Sequence, residues 1–232
     1  EPFSASLLKP CSEKFIEKLK FLKDKYKFRL IFDEVFTGFF KSKKMFYFEN
    51  FKNIAPDIIC LSKTLGGGKS SISCLVIDDK VYENAYGPLN NTFLHTTTYN
   101  GFGEESITAL EALNILSKPD FKKKVEDLSD LLTKKLDEIK LKHPDKIEEI
   151  KGTGIINGII FKSFSSSLAN LIEKIPLRLI KDKSFFLKKL TATAISSELF
   201  EKYNILSAIN DSSFSNHLCI SPSLIIDHKD VH

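Results

Sequence analysis

Three groups of side chains in this sequence could take part in covalent chemistry on a carbonyl compound. Asp33 ends one apolar segment, Lys63 follows another and comes just before three glycines, and three threonines stand at 96–98. A lysine amine can form an imine, a carboxylate can pair with a protonated ring nitrogen, and hydroxyls can bind a phosphate. These are the parts that pyridoxal phosphate requires, so the sequence favours a site for that cofactor.

A phosphate-binding loop is the competing interpretation of the same residues. The segment GGGKS at 66–70 suggests the loop of a nucleoside triphosphatase, and the acids at 33–34 suggest its magnesium-binding strand. That motif needs a glycine five residues before Gly68, where this chain has Lys63, and the acidic strand should follow the glycines rather than precede them. The spacing therefore rejects the triphosphatase interpretation.

Regular elements must position these groups, and hydrophobic periodicity predicts where the elements lie. Apolar runs at 28–33, 57–61 and 72–77 predict buried strands, and apolar residues at helical spacing predict amphipathic helices over 12–25, 104–116 and 120–141. Ser12 is the expected N-cap of the first helix, and Phe15 and Ile16 belong to its apolar stripe. Apolar strands that alternate with helices are typical of an α/β sheet covered on both faces.

The last part of the chain has a different pattern. Shorter strands are predicted at 147–150 and 158–161, with a glycine-containing turn between them. We therefore expect two domains, an α/β domain over 1–118 and a smaller α+β domain over 119–232. At about 163–190 a serine run, apolar residues at helical spacing and several lysines come together. This segment could lie on a membrane surface, but we favour a basic amphipathic insertion that folds over its own domain.

The composition excludes several classes of protein. With 42% hydrophobic and 28% charged residues, the chain resembles a folded globular protein. Lys and Arg number 34 against 30 Asp and Glu, a net charge of +4, which excludes a nucleic-acid binder driven by gross charge. The four cysteines lack the spacing of a metal or disulfide framework, so we expect no metal site and free thiols. No apolar run approaches ~18 residues, and we expect a cytoplasmic protein without a membrane span.

A series of short motifs follows in order along the chain: EP at 1–2, LIFDEVFTGF at 30–39, KMF at 44–46, PDI at 56–58, SKTLGGG at 62–68, HTTTY at 95–99, KGTG at 151–154 and SPSL at 221–224. Together they resemble the class III pyridoxal-phosphate aminotransferases of fold type I, which include ornithine, acetylornithine and 4-aminobutyrate aminotransferases. The resemblance implies a partial three-layer α/β/α large domain and a smaller α+β C-terminal domain. The family's proteins are longer, so we expect this chain to correspond to their C-terminal half.

The resemblance also implies roles for four residues. Lys63 would carry pyridoxal 5'-phosphate covalently and then move protons at the substrate alpha carbon. Asp33 would pair with the ring nitrogen, and Val35 would pack against the ring. Thr98 would reach the cofactor phosphate of the neighbouring subunit, which implies a homodimer with shared active sites. The reaction would move an amino group from an amine or amino-acid donor to an oxo-acid acceptor.

Two departures from the family pattern leave alternatives open. Phe36 stands where the family usually has a glutamine that bonds the cofactor's phenolic oxygen. Cys219 stands where an arginine that binds a substrate carboxylate is expected. The chain could therefore belong to a related pyridoxal-phosphate enzyme such as an aminomutase, or to a catalytically impaired protein that binds or regulates a partner. The residues name no particular substrate.

Overall fold

The computed structural model describes residues 1–91, 93–94, 96, 98, 103–162, 182–212 and 215–231. Contacts divide the chain into two compact units. The first comprises Glu1–Ala5 and Pro10–Lys124, and the second comprises Ser6–Lys9 and Val125–His232. The two domains expected from the sequence, 1–118 and 119–232, remain a prediction. Among the described residues, every helix is too short or too polar to span a bilayer.

The elements before residue 119 centre on a small mixed sheet. In chain order they are β1 (Phe3–Ser4), β2 (Lys9–Pro10), α1 (Glu13–Tyr26), β3 (Ile31–Asp33), β4 (Ile58–Leu61), β5 (Cys74–Ile77), α2 (Asp79–Tyr86) and α3 (Glu104–Leu116), with 3₁₀ helices at Tyr47–Asn50, Lys63–Gly66 and Leu89–Asn91. The sheet order is β3-β4-β5. Strand β3 runs parallel to β4, and β5 runs antiparallel to β4.

Strand β3 is shorter than the apolar run that predicted it. The backbone N–H of Leu30 donates to the Asp57 carboxylate at 2.7 Å, so a side chain takes the place of a neighbouring strand at this residue. The Leu30 carbonyl accepts from the backbone N–H groups of Asp57 and Ile58 at 2.8 and 3.2 Å. The regular ladder consequently begins only at Ile31.

Helix α1 covers one side of β3 as its apolar spacing predicts. Ser12 is the N-cap, and its hydroxyl accepts from the Phe15 N–H at 3.2 Å. Ile16 is buried and packs in one cluster with Phe32 of β3. Phe15, the neighbouring residue of the apolar stripe, is 55% exposed and lies outside this buried cluster. Adjacent residues lie about 100° apart around a helix, and Phe15 and Ile16 cannot both face the same strand.

The described residues do not bury both faces of this sheet. Ile31 of β3 is 54% exposed, and Leu75 and Val76 of β5 are 50% and 48% exposed. Leu75 and Val76 are consecutive in the strand and point to opposite faces. Both faces of β5, one of the two edge strands of the described sheet, therefore have little apolar cover, and the expectation of a fully covered sheet is not met here.

The elements of the second part form an antiparallel sheet with helices. They are α4 (Pro119–Lys142), β6 (Ile147–Thr153), β7 (Ile156–Phe161), α5 (Lys183–Tyr203), β8 (Ala208–Ser212) and β9 (Ser215–Ile220), followed by a 3₁₀ helix at His228–Val231. The strand order is β6-β7-β9-β8, and each neighbouring pair is antiparallel. Ile156 of β7, Leu218 of β9 and Leu128 of α4 are among the fully or almost fully buried side chains.

The segment predicted as an insertion at about 163–190 lies partly outside the described residues. Its first part, 163–181, is not described. From Lys183 onward the chain forms α5, and Asp182 caps that helix by accepting from the Phe185 N–H at 2.9 Å. The part of the insertion that the structure describes is therefore the start of a regular helix that continues to Tyr203.

Candidate active site

The chemistry-bearing residues of the first unit lie near one edge of its sheet. Asp33 is the last residue of β3 and pairs in register with Cys60 of the parallel strand β4. Lys63 follows Cys60 by three residues, just beyond the end of β4. Since the carboxyl ends of parallel strands meet at the same edge, Asp33 and Lys63 are brought to the same end of this sheet.

Lys63 has an unusual backbone conformation. It begins the 3₁₀ helix Lys63–Gly66 with a φ of 50°, in the left-handed region that non-glycine residues seldom adopt. Such conformations cost about 1–3 kcal/mol each and persist where the surrounding structure holds them. Helix α3 packs against this turn: a Cβ on Gly67 would lie 3.4 Å from the Cβ of Ala112. The turn therefore presents an exposed lysine from a constrained backbone.

Glu34 is fully buried, although it follows an exposed aspartate. Its carboxylate accepts hydrogen bonds from the backbone N–H groups of Tyr47 and Phe48 at 2.9 and 2.8 Å, and from the Thr37 hydroxyl. Burial raises the pKa of Glu34, and these three hydrogen bonds oppose that rise. The Glu34 carboxylate is therefore occupied by the turn that follows β3. Asp33 is the carboxylate that remains open at this edge.

Asp33 and Val35 are fixed with respect to each other. The Asp33 Oδ1 atom accepts from the Val35 N–H at 2.9 Å. Asp33 is exposed. Burial of the Cys60 thiol raises the pKa of that thiol, and the negative charge of Asp33 adds to the rise. Val35 is partly buried and lines an open groove of about 670 Å³, which Cys60 and Tyr82 also line. A planar ligand could contact Val35 from this groove, but Asp33 and Lys63 are not among its lining residues.

Two lysine side chains approach the Phe36 ring, and one of them, Lys41, has no signal in the sequence. The Lys63 Nζ atom is 5.9 Å from the centre of the Phe36 ring, and the Lys41 Nζ atom is 5.1 Å from the same point. Burial lowers the pKa of Lys41 to about 8, and the positive charge of Lys63 contributes to this shift. No local motif marks Lys41, because it reaches Phe36 only through the fold of the intervening turn.

Thr98 is described, but most of its neighbours are not. It is exposed and lies in a turn. His95, Thr97 and residues 99–102 fall outside the described part of the chain. The proposed contact of Thr98 with a neighbouring subunit's phosphate remains a prediction.

Cys219 lies in β9 of the second unit, in register with Gly158 of β7 and with Ala208 of β8. Burial raises the pKa of its thiol, so this residue offers a neutral group where the family pattern has an arginine. His217, two residues earlier, is buried, and its Nδ1 atom lies 3.0 Å from the Ser215 hydroxyl. At these two positions β9 therefore has a neutral thiol and a buried imidazole in place of a guanidinium group.

The donor set of the first unit fits pyridoxal phosphate. An exposed lysine on a constrained backbone and an exposed carboxylate reach the same sheet edge, and an open groove lies beside Val35. Covalent attachment needs the amine and ring-nitrogen pairing needs the carboxylate. Within the described ranges, no group of three or more His, Cys, Asp or Glu side chains could hold a metal ion.

Comparison with known proteins shows the family. A model of the family "Aminotransferase class-III" matches residues 8–183. A transaminase from the marine bacterium Virgibacillus superimposes with a TM-score of 0.79 at 21% identity, over 99% of this chain and 48% of that chain. Ornithine delta-aminotransferase of Plasmodium falciparum gives a TM-score of 0.72 at 20% identity, over 99% and 50%. The omega transaminase of Pseudomonas jessenii, solved in complex with PMP, gives 0.74 at 23%, over 100% and 47%.

The chain belongs to the class III aminotransferase family. The structural matches confirm the predicted fold, a partial fold type I transaminase. The chain spans about half the length of these structures. The family and the fold are thus established, whereas the roles of Lys63, Asp33, Val35 and Thr98 are matters for proposal.

Proposed function

We propose that this chain provides the lysine and the ring-nitrogen carboxylate of a pyridoxal-phosphate-dependent aminotransferase. The enzyme would transfer an amino group from an amine or amino-acid donor to an oxo-acid acceptor. The observation that carries this proposal is Lys63 itself, an exposed lysine in a left-handed backbone conformation at the same sheet edge as Asp33. Membership in the class III aminotransferase family supports it.

The proposed cofactor has one chemical role. When bound, pyridoxal phosphate acts as an electron sink that makes the alpha proton of an attached amine acidic. Lys63 would hold it through the Nζ atom and, once the donor has displaced this amine, would accept and return a proton at the donor's alpha carbon. Both steps use the same Nζ atom, which the exposed side chain of Lys63 presents at the sheet edge.

Asp33 is the residue proposed to hold a proton on the ring nitrogen. Its carboxylate is exposed at the sheet edge, and the Val35 N–H fixes one of its oxygens. Glu34 cannot take this role, because backbone N–H groups and Thr37 already bind its carboxylate. Val35 would contact the ring, and Thr98 of a second subunit would bind the phosphate. The second of these roles makes the protein a homodimer with shared sites.

Borohydride reduction tests the assignment of Lys63. The complete gene product is incubated with pyridoxal phosphate, reduced, digested and mapped by mass spectrometry. We expect the reduced pyridoxyl group on Lys63, loss of the label in Lys63→Ala, and full labelling in Lys69→Ala, which removes an exposed lysine from the following loop. A label on another lysine would overturn the assignment. Complete absence of a label would favour the alternative of a non-catalytic binding or regulatory protein.

A further inference from the structure

The Phe36 ring is shared by two positively charged side chains of the first unit. The Nζ atoms of Lys41 and Lys63 lie 5.1 and 5.9 Å from the ring centre. Their separation therefore cannot exceed the sum of these distances, and the charge of Lys63 acts on the Lys41 ammonium group. The proposed reaction needs only Lys63, so the second ammonium group requires its own explanation.

The turn that carries Lys41 is strained and held in place. Phe39, Phe40 and Lys43 all have positive φ values, of 63°, 66° and 70°. Backbone hydrogen bonds close the turn, from Phe39 N–H to the Met45 carbonyl at 2.6 Å and from Phe40 N–H to the Lys44 carbonyl at 3.1 Å. The Phe39 side chain is 1% exposed and anchors it. Strain of this kind is retained where surrounding packing determines the conformation, and here it places Lys41 beside Phe36.

The Lys41 ammonium group has no anionic partner among the described residues. It is partly buried, and no described carboxylate forms an ion pair with it. The Phe36 ring offers the attraction of its π face, which compensates only part of the lost hydration. The charge of Lys63 acts on Lys41 in the opposite direction. A partly desolvated cation is unfavourable unless an anion binds to it, and before a cofactor is attached to Lys63 the charge of that residue adds to the cost.

We propose that Lys41 is a specificity-determining residue that binds the carboxylate of the substrate. This inference rests on the proposed function, which places the reacting amine at Lys63. An oxo-acid acceptor always carries a carboxylate, and Cys219, at the position of the family's arginine, cannot form a charge-assisted hydrogen bond to it. Lys41 supplies a cation close to Lys63 within the same unit.

A lysine in this role has a pH dependence that an arginine would not have. Among the described residues, Lys63 is the charged group that acts on Lys41. Because the pKa of Lys41 is about 8, the side chain is mostly charged at pH 7 and loses its charge as the pH rises above that value. Carboxylate binding through Lys41 therefore weakens between pH 7 and pH 9, whereas a guanidinium stays charged throughout this range.

The first experiment measures anion binding without catalysis. The complete gene product is briefly treated with acetic anhydride at pH 8, and acetylation of Lys41 is quantified by peptide mass spectrometry with glutarate, with inorganic phosphate or with no added anion. We expect glutarate to slow acetylation of Lys41 severalfold, while phosphate leaves it unchanged. Lys44, exposed in the same turn, is the internal control and should react equally in all samples. Protection by phosphate alone would assign Lys41 to the cofactor phosphate, and no protection would exclude an anion site; either result overturns the proposal.

The second experiment compares two donors that differ only in a carboxylate, 5-aminopentanoate and butylamine. The substitution Lys41→Met removes one charge-assisted hydrogen bond, so it should raise KM for 5-aminopentanoate about tenfold. It should leave KM for butylamine and the kcat values for both donors unchanged. Lys41→Arg should restore the preference and keep it at pH 9, and Lys44→Met should behave as the wild type. Equal changes for both donors would contradict carboxylate binding by Lys41.

The labelling of Lys63 separates failure of this inference from failure of the proposed function. If Lys41→Met still carries the reduced pyridoxyl label on Lys63 but keeps its donor preference, only the role of Lys41 is wrong. If Lys63 is unlabelled in the wild type, the proposed function fails. The acetylation experiment needs no cofactor and would then still show whether Lys41 binds a carboxylate.

Discussion

Asp33 and Glu34 are adjacent carboxylates with opposite environments. Glu34 is enclosed by backbone donors from Tyr47 and Phe48, whereas Asp33 is exposed at the end of β3. The difference follows from strand geometry, since consecutive side chains point to opposite faces. One residue therefore stabilises the turn that follows the strand, and its neighbour is available to a ligand.

Replacing Asp33 with asparagine should impair catalysis without unfolding the protein. Asparagine keeps the size and the hydrogen bond to the Val35 N–H but cannot hold a positively charged ring nitrogen. Loss of one preorganised electrostatic contact typically costs on the order of a hundredfold in turnover. We expect a loss of that size in half-reaction rates with an unchanged melting temperature. Glu34→Gln serves as the contrast, because mismatching its buried hydrogen bonds should destabilise the fold by ~1–3 kcal/mol. Normal rates in Asp33→Asn would contradict its assignment.

Lys41 should lower the stability of the protein at neutral pH. Its pKa in the folded chain is about 8, below the ordinary value of 10.5, so between these values the unfolded chain binds more protons than the folded one. Stability therefore rises with pH across this window, because unfolding then requires proton uptake. We expect Lys41→Met to be more stable than the wild type at pH 7, with an advantage that shrinks from pH 8 to pH 10. Urea denaturation at a series of pH values, with Lys44→Met as control, measures this, and a pH-independent difference would contradict it.

At the scale of elements, the β6–β7 hairpin depends on a glycine. Gly152 has a φ of 140°, and a Cβ at this position would lie 2.1 Å from the Ile156 carbonyl oxygen. Both the backbone conformation and the contact exclude a side chain. The sequence predicted the first strand only to residue 150, with a glycine-containing turn after it, whereas β6 continues to Thr153 and includes Gly152, which the partner strand approaches closely.

The substitution Gly152→Ala should therefore be strongly destabilising. We expect a loss of at least ~1–3 kcal/mol, since a strained backbone and a clash with main-chain atoms add together. The matched control is Gly103→Ala, because a Cβ there meets nothing within 4 Å and φ is not positive. Chemical denaturation of both variants gives the comparison. Equal stability of the two variants would show that the hairpin can relax around a side chain.

At the scale of the whole molecule, the described residues leave apolar surface on the first unit. Both faces of β5 have little cover, with Leu75 and Val76 about half exposed. The chain also spans about half the length of the structures that it matches. Half-exposed apolar side chains on both faces of a strand are typical of a sheet that is covered by further protein.

We expect the 232-residue chain, when produced alone, to show no transamination. Its described residues leave β5 with little apolar cover, and the phosphate contact proposed for Thr98 requires a second subunit. The check combines a half-reaction assay with binding of a hydrophobic dye. A dye signal that is absent from the complete gene product, together with activity in that protein, would agree with this expectation. Stable turnover by the chain alone would contradict it.

Much of the fold and the family could be predicted from the sequence by itself. The order of short motifs indicated the class III aminotransferases, and apolar spacing located α1, α3 and α4 within one residue of each end. Both kinds of signal depend on residues close together in the chain. The strands β8 and β9 were missed because their residues lack a long apolar run: β9 is defined by pairing with β7 and β8, and β8 by pairing with β9.

The arrangement of charge around Lys63 was decided only by the tertiary structure. The sequence identified Lys63 and Asp33 as candidates, and the structure brings them to one sheet edge, while their roles stay predictions. Lys41 had no local signature, because its approach to Phe36 and Lys63 depends on how the strained turn after β3 folds back beside the end of β4. Packing determines which separate segments come into contact and how much hydration their side chains lose. The local spacing of residues does not predict either of these.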